Sequence, residues 1–271
     1  FKTNGDTPRL CSIISHFLML SNRIKSLPAS ATLAMAAKAR ELKNLGIDII
    51  GLSLGEPDFN TPEFIKDAAI QAVKENYNSY SPVDGYTDLK SAICEKFKRD
   101  NGLEYQASQI VVSTGAKQSI ANVCMILLNP GDEVLLPAPY WVSYSAIATL
   151  AEAKSIIIPS SIETDFKITP KQLEQAITPK TKLVMFNSPN NPSGTIYSEE
   201  EYRALGAVLK KYPDIYILSD EIYEHINYGT PHFSIAAIPE LYDRTITVNG
   251  VAKAFALSLI HISEPTRPID I

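Results

Sequence analysis

The sequence KLVMFNSP (182–189) is a short, uniformly apolar run that leads directly into the polar turn NNPSG (190–194). Similar apolar runs recur at intervals on both sides of it. They are QIVVSTG (109–115), EVLLPAP (133–139), KSIIIP (154–159), IYILSDE (215–221) and TITVNG (245–250). Short runs without polar alternation are typical of strands buried on both faces, so the pattern predicts a parallel sheet.

Helical patterns separate these runs, near residues 116–128, 140–151, 169–177 and 199–211. Two of them begin with capping signals, Thr169-Pro170 and Ser198-Glu199-Glu200-Glu201. Before residue 109 the pattern predicts helices over 31–45, from Thr61 and after Tyr86-Thr87, and a short strand at 47–55. Strands that alternate with helices predict an α/β fold, with a mostly parallel sheet covered by helices on both faces.

Composition excludes several classes of protein. The 271 residues are 45% hydrophobic and carry a net charge of −5, which argues against nucleic-acid binding. No apolar run reaches the length of a membrane span. The three cysteines are odd in number and widely spaced, which favours neither a disulfide framework nor a zinc site. We therefore expect buried thiols at Cys94 and Cys124 and a cytoplasmic protein.

Polar residues follow the apolar runs where each predicted strand ends, and these strand ends should meet at one edge of the sheet. They are Ser113–Lys117, Pro139–Trp141, Asn187–Pro192, Asp220–Tyr223 and Asn249–Lys253. The STGAK turn (113–117) places backbone amides at a helix N-terminus, which favours anion binding. Neither GxxxxGK[ST] nor GxGxxG occurs, so nucleotides are poor candidates.

Each of these features alone has an ordinary explanation, such as a helix start, a core tryptophan, a capping aspartate or a solvated lysine. Together they match the chemistry of one cofactor. Pyridoxal phosphate carries a phosphate for the helix N-terminus and a flat ring for the indole of Trp141. Its ring nitrogen suits the carboxylate of Asp220, and its aldehyde suits the amine of Lys253.

At this point the chain resembles a known family. It is similar to fold-type-I, class I aminotransferases of the bacterial aspartate aminotransferase kind, from about Met19 to Ala256. The resemblance rests on LSLGEPDFNTP (52–62), YSPVDGYTDLK (80–90), VVSTGAKQSI (111–120), GDEVLLPAPYWVSY (131–144), NSPNNPSG (187–194), LSDEIY (218–223) and VNGVAKAFA (248–256). It implies a three-layer α/β/α large domain, part of a small domain, pyridoxal phosphate as cofactor and a homodimer.

The resemblance also implies a role for individual residues. Lys253 would form the Schiff base and carry the proton, Asp220 would pair with the ring nitrogen, and Tyr223 and Asn191 would bind the phenolic oxygen. Catalysis would then depend on Lys253, Asp220 and Tyr223. The remaining cofactor ligands would be Gly115, Ala116 and Lys117 at the phosphate, Trp141 on the ring, and Tyr80 reaching the neighbouring subunit's cofactor.

The residues implied in substrate binding partly overlap with these. They are Gly55 at the α-carboxylate, Trp141, Asn191, and Lys117, which is linked to an acidic substrate side chain. The implied reaction moves an amino group between an amino acid and a 2-oxo acid, with aspartate and 2-oxoglutarate favoured. Prephenate or aromatic amino acids are alternatives, as is related pyridoxal phosphate lyase chemistry. A more distant alternative is the sensor domain of a transcription regulator.

The two ends of the chain depart from the family pattern. We expect residues 1–18 to be non-native upstream sequence, 19–54 an N-terminal arm with a small-domain segment, and 55–256 an incomplete large domain. LSLIHISEPTR (257–267) resembles a translated sequencing adaptor, so we expect 257–271 to be an artefactual tail. The missing family elements include a strand between 109–114 and 245–249. We therefore expect this chain to bind cofactor weakly and to be inactive.

Overall fold

The computed structural model describes residues 20–27, 31–51, 55 and 57–257, with the backbone alone at 31–33. The chain divides into two compact units between Leu54 and Gly55. The first unit contains helices α1 (Asn22–Lys25) and α2 (Ala31–Asn44). The strand predicted at 47–55 is wrong over its described residues, which form no ladder with another segment, and Ile50 is exposed. Residues 52–54 and 56 lie outside the described part.

The second unit is built on a five-stranded parallel sheet with the order β2-β1-β3-β4-β5. Its strands are β1 (Glu133–Pro137), β2 (Lys154–Ile158), β3 (Thr181–Asn187), β4 (Tyr216–Asp220) and β5 (Thr245–Val248). The chain moves outward from β1 to β2 and then returns to the other side of β1 with β3. The carboxyl ends of β1 and β3 therefore flank the point where the strand order reverses, the usual ligand crevice of such sheets.

Helices of the second unit are α3 (Glu63–Lys74), α4 (Thr87–Lys96), α5 (Ala116–Leu127), α6 (Ser143–Leu150), α7 (Pro170–Ala176), α8 (Glu199–Leu209) and α9 (Val251–Ala254). A π-helical turn over Phe97–Asn101 extends α4. Short 3₁₀ turns are formed by Ala107–Gln109, Ile162–Thr164, Ile235–Ala237 and Tyr242–Arg244. No described helix is long and apolar enough to cross a membrane.

Two hydrophobic cores lie on opposite faces of the sheet. Along β3, Val184 and Phe186 pack into the core formed with α7 and α8, whereas Leu183 and Met185 pack into the core formed with α5 and α6. Successive strand side chains point to opposite faces, so a uniformly apolar strand supplies both cores. The three-layer α/β/α architecture with a parallel sheet is thereby confirmed.

The strand predicted at 109–115 is wrong. Residues Ala107–Gln109 form a 3₁₀ turn, and the following segment joins no ladder in the described part of the chain. Its Val112 amide donates instead to the carbonyl of Asp84, at 3.1 Å, and Val111 is 66% exposed. An extended apolar run becomes a strand only beside a partner, and β5 pairs with β4 alone among the described strands.

The prediction of two buried thiols is half right. Cys124 is fully buried on α5, while Cys94 on α4 is only partly buried. Helix α4 is more exposed than helix α5. Its apolar residues therefore predicted a deeper burial of its side chains than the structure shows. Cys11 lies outside the described residues.

Candidate functional site

Four of the five polar groups predicted to meet at one edge of the sheet lie at the carboxyl ends of adjacent strands, whereas Ser113–Lys117 follows no described strand. Asn187 at the end of β3 is in register with Asp220 at the end of β4, which is in register with Val248 of β5. The Asn190 side-chain amide donates to the Pro139 carbonyl, at 3.3 Å, and joins the loops after β3 and β1. The sheet therefore gathers residues far apart in sequence where a ligand is expected.

Asp220 is the buried charge of this edge, with 3% of its surface exposed. Its Oδ2 accepts a hydrogen bond from the hydroxyl of Tyr144, at 2.5 Å, and its Oδ1 accepts one from the Ile222 amide, at 3.2 Å. Burial raises the pKa of Asp220 to about 6, the two hydrogen bonds oppose the rise, and Glu221 adds to it. A desolvated carboxylate that ionises near neutrality is a strong partner for a ligand cation.

Tyr223 and Asn191 form a pair beside Asp220. The Asn191 side-chain amide donates to the Tyr223 hydroxyl, at 3.4 Å. Burial raises the pKa of Tyr223, the Asn191 hydrogen bond lowers it, and the charge of Asp220 raises it further. The phenol therefore stays protonated, and the two side chains present an O–H and an N–H donor together. Such a pair suits an anionic oxygen on a ligand.

Asn187 connects the end of β4 at Asp220 with the loop that carries Asn191, a role that the sequence did not indicate. It is 5% exposed. Its side-chain amide donates to the Asp220 carbonyl, at 2.9 Å, and its Oδ1 accepts from the Asn191 amide, at 2.7 Å. Its position at the start of NSPNNPSG was the available signal, but a bridge between two loops depends on the fold. Tyr144, the partner of Asp220, was missed for the same reason.

The predicted anion site lies where the turn before α5 meets the helix. Gly115 is the N-cap with φ +83, a conformation that favours glycine, and no side chain from elsewhere in the described part of the chain lies within 4 Å of the position that a Cβ would take. The first amides of a helix, here those of Ala116 and Lys117, have no acceptor within the helix. They are available to an anion, as the sequence predicts.

Trp141 lies between two of the site's residues. The Lys117 ammonium is 5.0 Å from the centroid of the Trp141 ring, within the range of a cation–π contact. The rings of Trp141 and Tyr144 meet edge to face, with centroids 5.4 Å apart and an interplanar angle of 89°. The indole is therefore a partly buried aromatic surface whose position depends on Tyr144.

Lys253 lies on the one-turn helix α9, which follows Gly250. A Cβ on Gly250 would be 3.0 Å from the Ile222 side chain, so glycine allows the turn to pass close to the segment after Asp220. The Thr61 hydroxyl donates to the Ala256 carbonyl, at 2.8 Å, and holds the end of this turn. Among the described residues none forms an ion pair or hydrogen bond with the partly buried Lys253 side chain.

Two predicted site residues are not brought into this group. Tyr80 is completely exposed, and its implied role concerns a neighbouring subunit. Gly55 is exposed at the start of the second unit, and a Cβ there would meet nothing within 4 Å. Their roles remain predictions.

Comparison with known proteins identifies the class to which this fold belongs. The family model described as "Aminotransferase class I and II" matches residues 47–259. The chain therefore belongs to the class I and II aminotransferase family.

Individual relatives agree with this assignment. The chain is 51% identical over 243 residues to an aspartate/prephenate aminotransferase of Nitrosomonas europaea, and the match covers 89% of the chain and 61% of that protein. It is 47% identical to the aspartate aminotransferase of Bacillus subtilis, covering 89% of the chain and 62% of that protein. The chain thus spans about three fifths of the length of these relatives.

Solved structures are similar as well. The crystal structure of the aspartate aminotransferase from Rhizobium meliloti matches with a TM-score of 0.86 and 45% identity, covering 89% of the chain and 60% of that structure. The Thermus thermophilus aspartate aminotransferase with maleate matches with a TM-score of 0.85 and 42% identity, covering 88% and 62%.

Proposed function

We propose that the protein to which this chain belongs is a pyridoxal phosphate-dependent aminotransferase. The observation that carries the proposal is the buried Asp220 carboxylate, placed beside the Tyr223–Asn191 pair at the carboxyl edge of the sheet. A buried negative charge without a cationic side-chain partner is costly, and a cationic ring nitrogen on a ligand compensates for it. Membership of the aminotransferase family supports the same conclusion.

The donor set of the site fits pyridoxal phosphate. The helix N-terminus at Gly115–Lys117 suits the phosphate, the Tyr223–Asn191 donor pair suits the phenolic oxygen, and Asp220 suits the ring nitrogen. When bound, the cofactor supplies an aldehyde that combines with amines and a cationic ring that withdraws electrons from the substrate's Cα. The Lys117 ammonium lies over one face of the Trp141 ring. If the cofactor ring stacked on that face, the ammonium would have to move, and it could then pair with the cofactor phosphate.

The protein's own groups divide the remaining work. The amine of Lys253 would hold the cofactor at its aldehyde and, when not engaged there, would carry the proton at the substrate Cα. Asp220 keeps the ring nitrogen protonated, while Tyr223 and Asn191 stabilise the phenolic oxygen. Over a full cycle the amino group and one hydrogen of an amino acid pass to a 2-oxo acid. Water supplies the oxo oxygen of the first carbon skeleton, and the oxo oxygen of the acceptor leaves as water.

For the substrates we propose aspartate, which the names of the relatives contain, and 2-oxoglutarate as the amino-group acceptor. Lys117 would bind the second carboxylate of an acidic substrate, and the backbone of Gly55 would bind its α-carboxylate. Prephenate is the second candidate, because the Nitrosomonas europaea relative is named an aspartate/prephenate aminotransferase. We further propose a cytoplasmic homodimer in which Tyr80 reaches the partner's site.

Cofactor attachment can be tested without turnover. The chain is mixed with pyridoxal phosphate, reduced with borohydride, and digested for peptide mass spectrometry. We expect the pyridoxyl group on Lys253, together with loss of the absorbance of the bound cofactor in Lys253→Ala. Lys154→Ala is the matched control, because Lys154 is exposed at the amino end of β2, away from the site. Equal labelling of several lysines, with no preference for Lys253, would contradict the proposal.

Transamination itself is measured in the protein that contains this chain. We expect oxaloacetate to form from aspartate only when a 2-oxo acid is present, and Lys117→Gln to raise the KM for aspartate more than it lowers kcat. The same protein supplied with prephenate tests the second candidate. Release of ammonia or carbon dioxide from aspartate instead would favour lyase chemistry and overturn the assignment.

A further inference from the structure

Among the described residues, the hydroxyl of Tyr144 is the only side-chain donor to the carboxylate of Asp220. Tyr144 lies in the first turn of α6, and only 1% of its surface is exposed. Its O–H donates to Asp220 Oδ2, at 2.5 Å, across a separation of 76 positions in the sequence. Sequence reasoning assigned it no role.

Both oxygens of the Asp220 carboxylate are fixed by these contacts. Oδ2 is held by Tyr144 and Oδ1 by the Ile222 amide, while the backbone carbonyl of the residue accepts from Asn187. Two donors on different oxygens set the plane of a carboxylate and leave one lone pair on each oxygen for another partner. The orientation of Asp220 toward a ligand therefore depends on Tyr144.

We propose that Tyr144 is a positioning residue whose hydroxyl holds Asp220 ionised and correctly oriented for a protonated ring nitrogen. The inference rests on the proposed function for its ligand, and on the described hydrogen bond for its mechanism. The Tyr144 hydroxyl is bonded to the carboxylate of Asp220, so we expect Tyr144 to act through that residue.

Electrostatics supports this role. Burial, and next the charge of Asp220, raise the pKa of Tyr144 far above its ordinary value, so its hydroxyl is a permanent donor. Among the described residues, the charged and titratable groups that interact with Asp220 are Tyr144 on α6, Glu221 next to it in sequence, and Tyr223 in the following turn. Of these, Tyr144 alone lowers the pKa of Asp220, whereas the charge of Glu221 raises it.

Tyr144→Phe removes the hydroxyl and keeps the ring that supports Trp141, so it isolates the hydrogen bond. The matched control is Tyr197→Phe. Tyr197 is also a buried tyrosine, and its hydroxyl accepts from the Ile168 amide, at 3.0 Å, in the core on the opposite face of the sheet. Both variants lose one hydrogen bond, but only the first loses one to Asp220.

The first measurement uses the protein without cofactor. Carbon-13 NMR follows the titration of the Asp220 carboxyl, which is assigned by its absence in Asp220→Asn. We expect Tyr144→Phe to raise the pKa of Asp220 by about one unit, because the lost charge-assisted hydrogen bond stabilises the ionised carboxylate more than the protonated one. The Tyr197→Phe control should leave the titration unchanged. An unaltered Asp220 titration in folded Tyr144→Phe would overturn the inference.

The second measurement compares pyridoxal phosphate with its analogue in which the ring nitrogen is replaced by C–H. We expect Tyr144→Phe to weaken binding of pyridoxal phosphate about tenfold and to leave binding of the analogue unchanged. Equal weakening of both would assign Tyr144 a merely structural role and overturn the inference. If the unmodified chain binds neither compound, the proposed function is wrong. The carboxyl titration, which needs no cofactor, would still test whether the Tyr144 hydroxyl lowers the pKa of Asp220.

Discussion

Replacing Asp220 with asparagine separates the shape of this side chain from its charge. Asparagine keeps the size of the residue and an oxygen that can accept from the Ile222 amide, and the Tyr144 hydroxyl can turn to accept from the new amide. What disappears is the buried negative charge. In the absence of cofactor we therefore expect Asp220→Asn to stabilise the protein at neutral pH.

The magnitude follows from the pKa of Asp220, which is raised from 3.8 to about 6. Each pKa unit corresponds to about 1.4 kcal/mol, so the ionised carboxylate destabilises the folded protein by about 3 kcal/mol at pH 7. Below the ordinary pKa the group is protonated in both folded and unfolded states and costs nothing. The cost grows as the pH rises from about 4 to about 6, and is constant above that range.

The assay is urea unfolding of the cofactor-free protein at several pH values between 4 and 8. We expect wild type and Asp220→Asn to differ little at pH 4 and to diverge by about 3 kcal/mol above pH 6. Asp243→Asn, at an exposed position, is the control and should follow wild type throughout. A difference that does not change with pH would refute the burial argument, as would a variant less stable than wild type at pH 7.

Three further predictions concern the scaffold. The Arg244 guanidinium donates to three backbone carbonyls. We therefore expect Arg244→Met to lower the free energy of unfolding, measured in urea, by about 3 kcal/mol. An unchanged free energy of unfolding would show that water replaces the guanidinium as the donor to these carbonyls. Gly85 has φ +101, and a Cβ there would lie 2.6 Å from the Val112 side chain. We expect Gly85→Ala to lower the free energy of unfolding by about 2 kcal/mol, the typical strain of a non-glycine residue in this conformation. An unchanged Tm would contradict this prediction. Burial raises the pKa of the Cys124 thiol to about 12, so iodoacetamide at pH 8 should label Cys94 in the folded protein and spare Cys124, as peptide mass spectrometry would show.

Local signals predicted the parts of the fold that depend on local chemistry. The helix start predicted at Thr169 and the capping box predicted at Ser198 both form, with amides of Gln172 and Glu201 donating to the two hydroxyls, at 3.3 and 3.2 Å. The apolar runs at β1 to β5 form strands because each has a neighbour to pair with, although the edge strand β2 leaves Ile157 exposed. Period and capping are properties of a few consecutive residues, so a sequence displays them directly.

Features that require a distant partner could not be predicted in this way. The run at 109–115 has the composition of a strand, but a ladder needs a second strand, and the described residues provide none beside it. Asn187 and Tyr144 are ordinary polar and aromatic residues in the sequence. Their importance comes from reaching Asp220 across 33 and 76 positions, which only the folded sheet brings about.

The buried charge that weakens the cofactor-free protein is also what prepares it for a cationic ligand. A carboxylate at the surface would have to lose its water when the ligand binds, and that loss would weaken the interaction. At Asp220 the desolvation occurs during folding, so an arriving cation meets a carboxylate that is already dry and already oriented. The Tyr144 hydroxyl limits this cost by keeping the pKa near 6, low enough for Asp220 to be ionised at pH 7. If the pKa of Asp220 were higher, the carboxyl would be protonated at pH 7. The folded protein would then be more stable, but the negative charge that binds the cationic ligand would be absent.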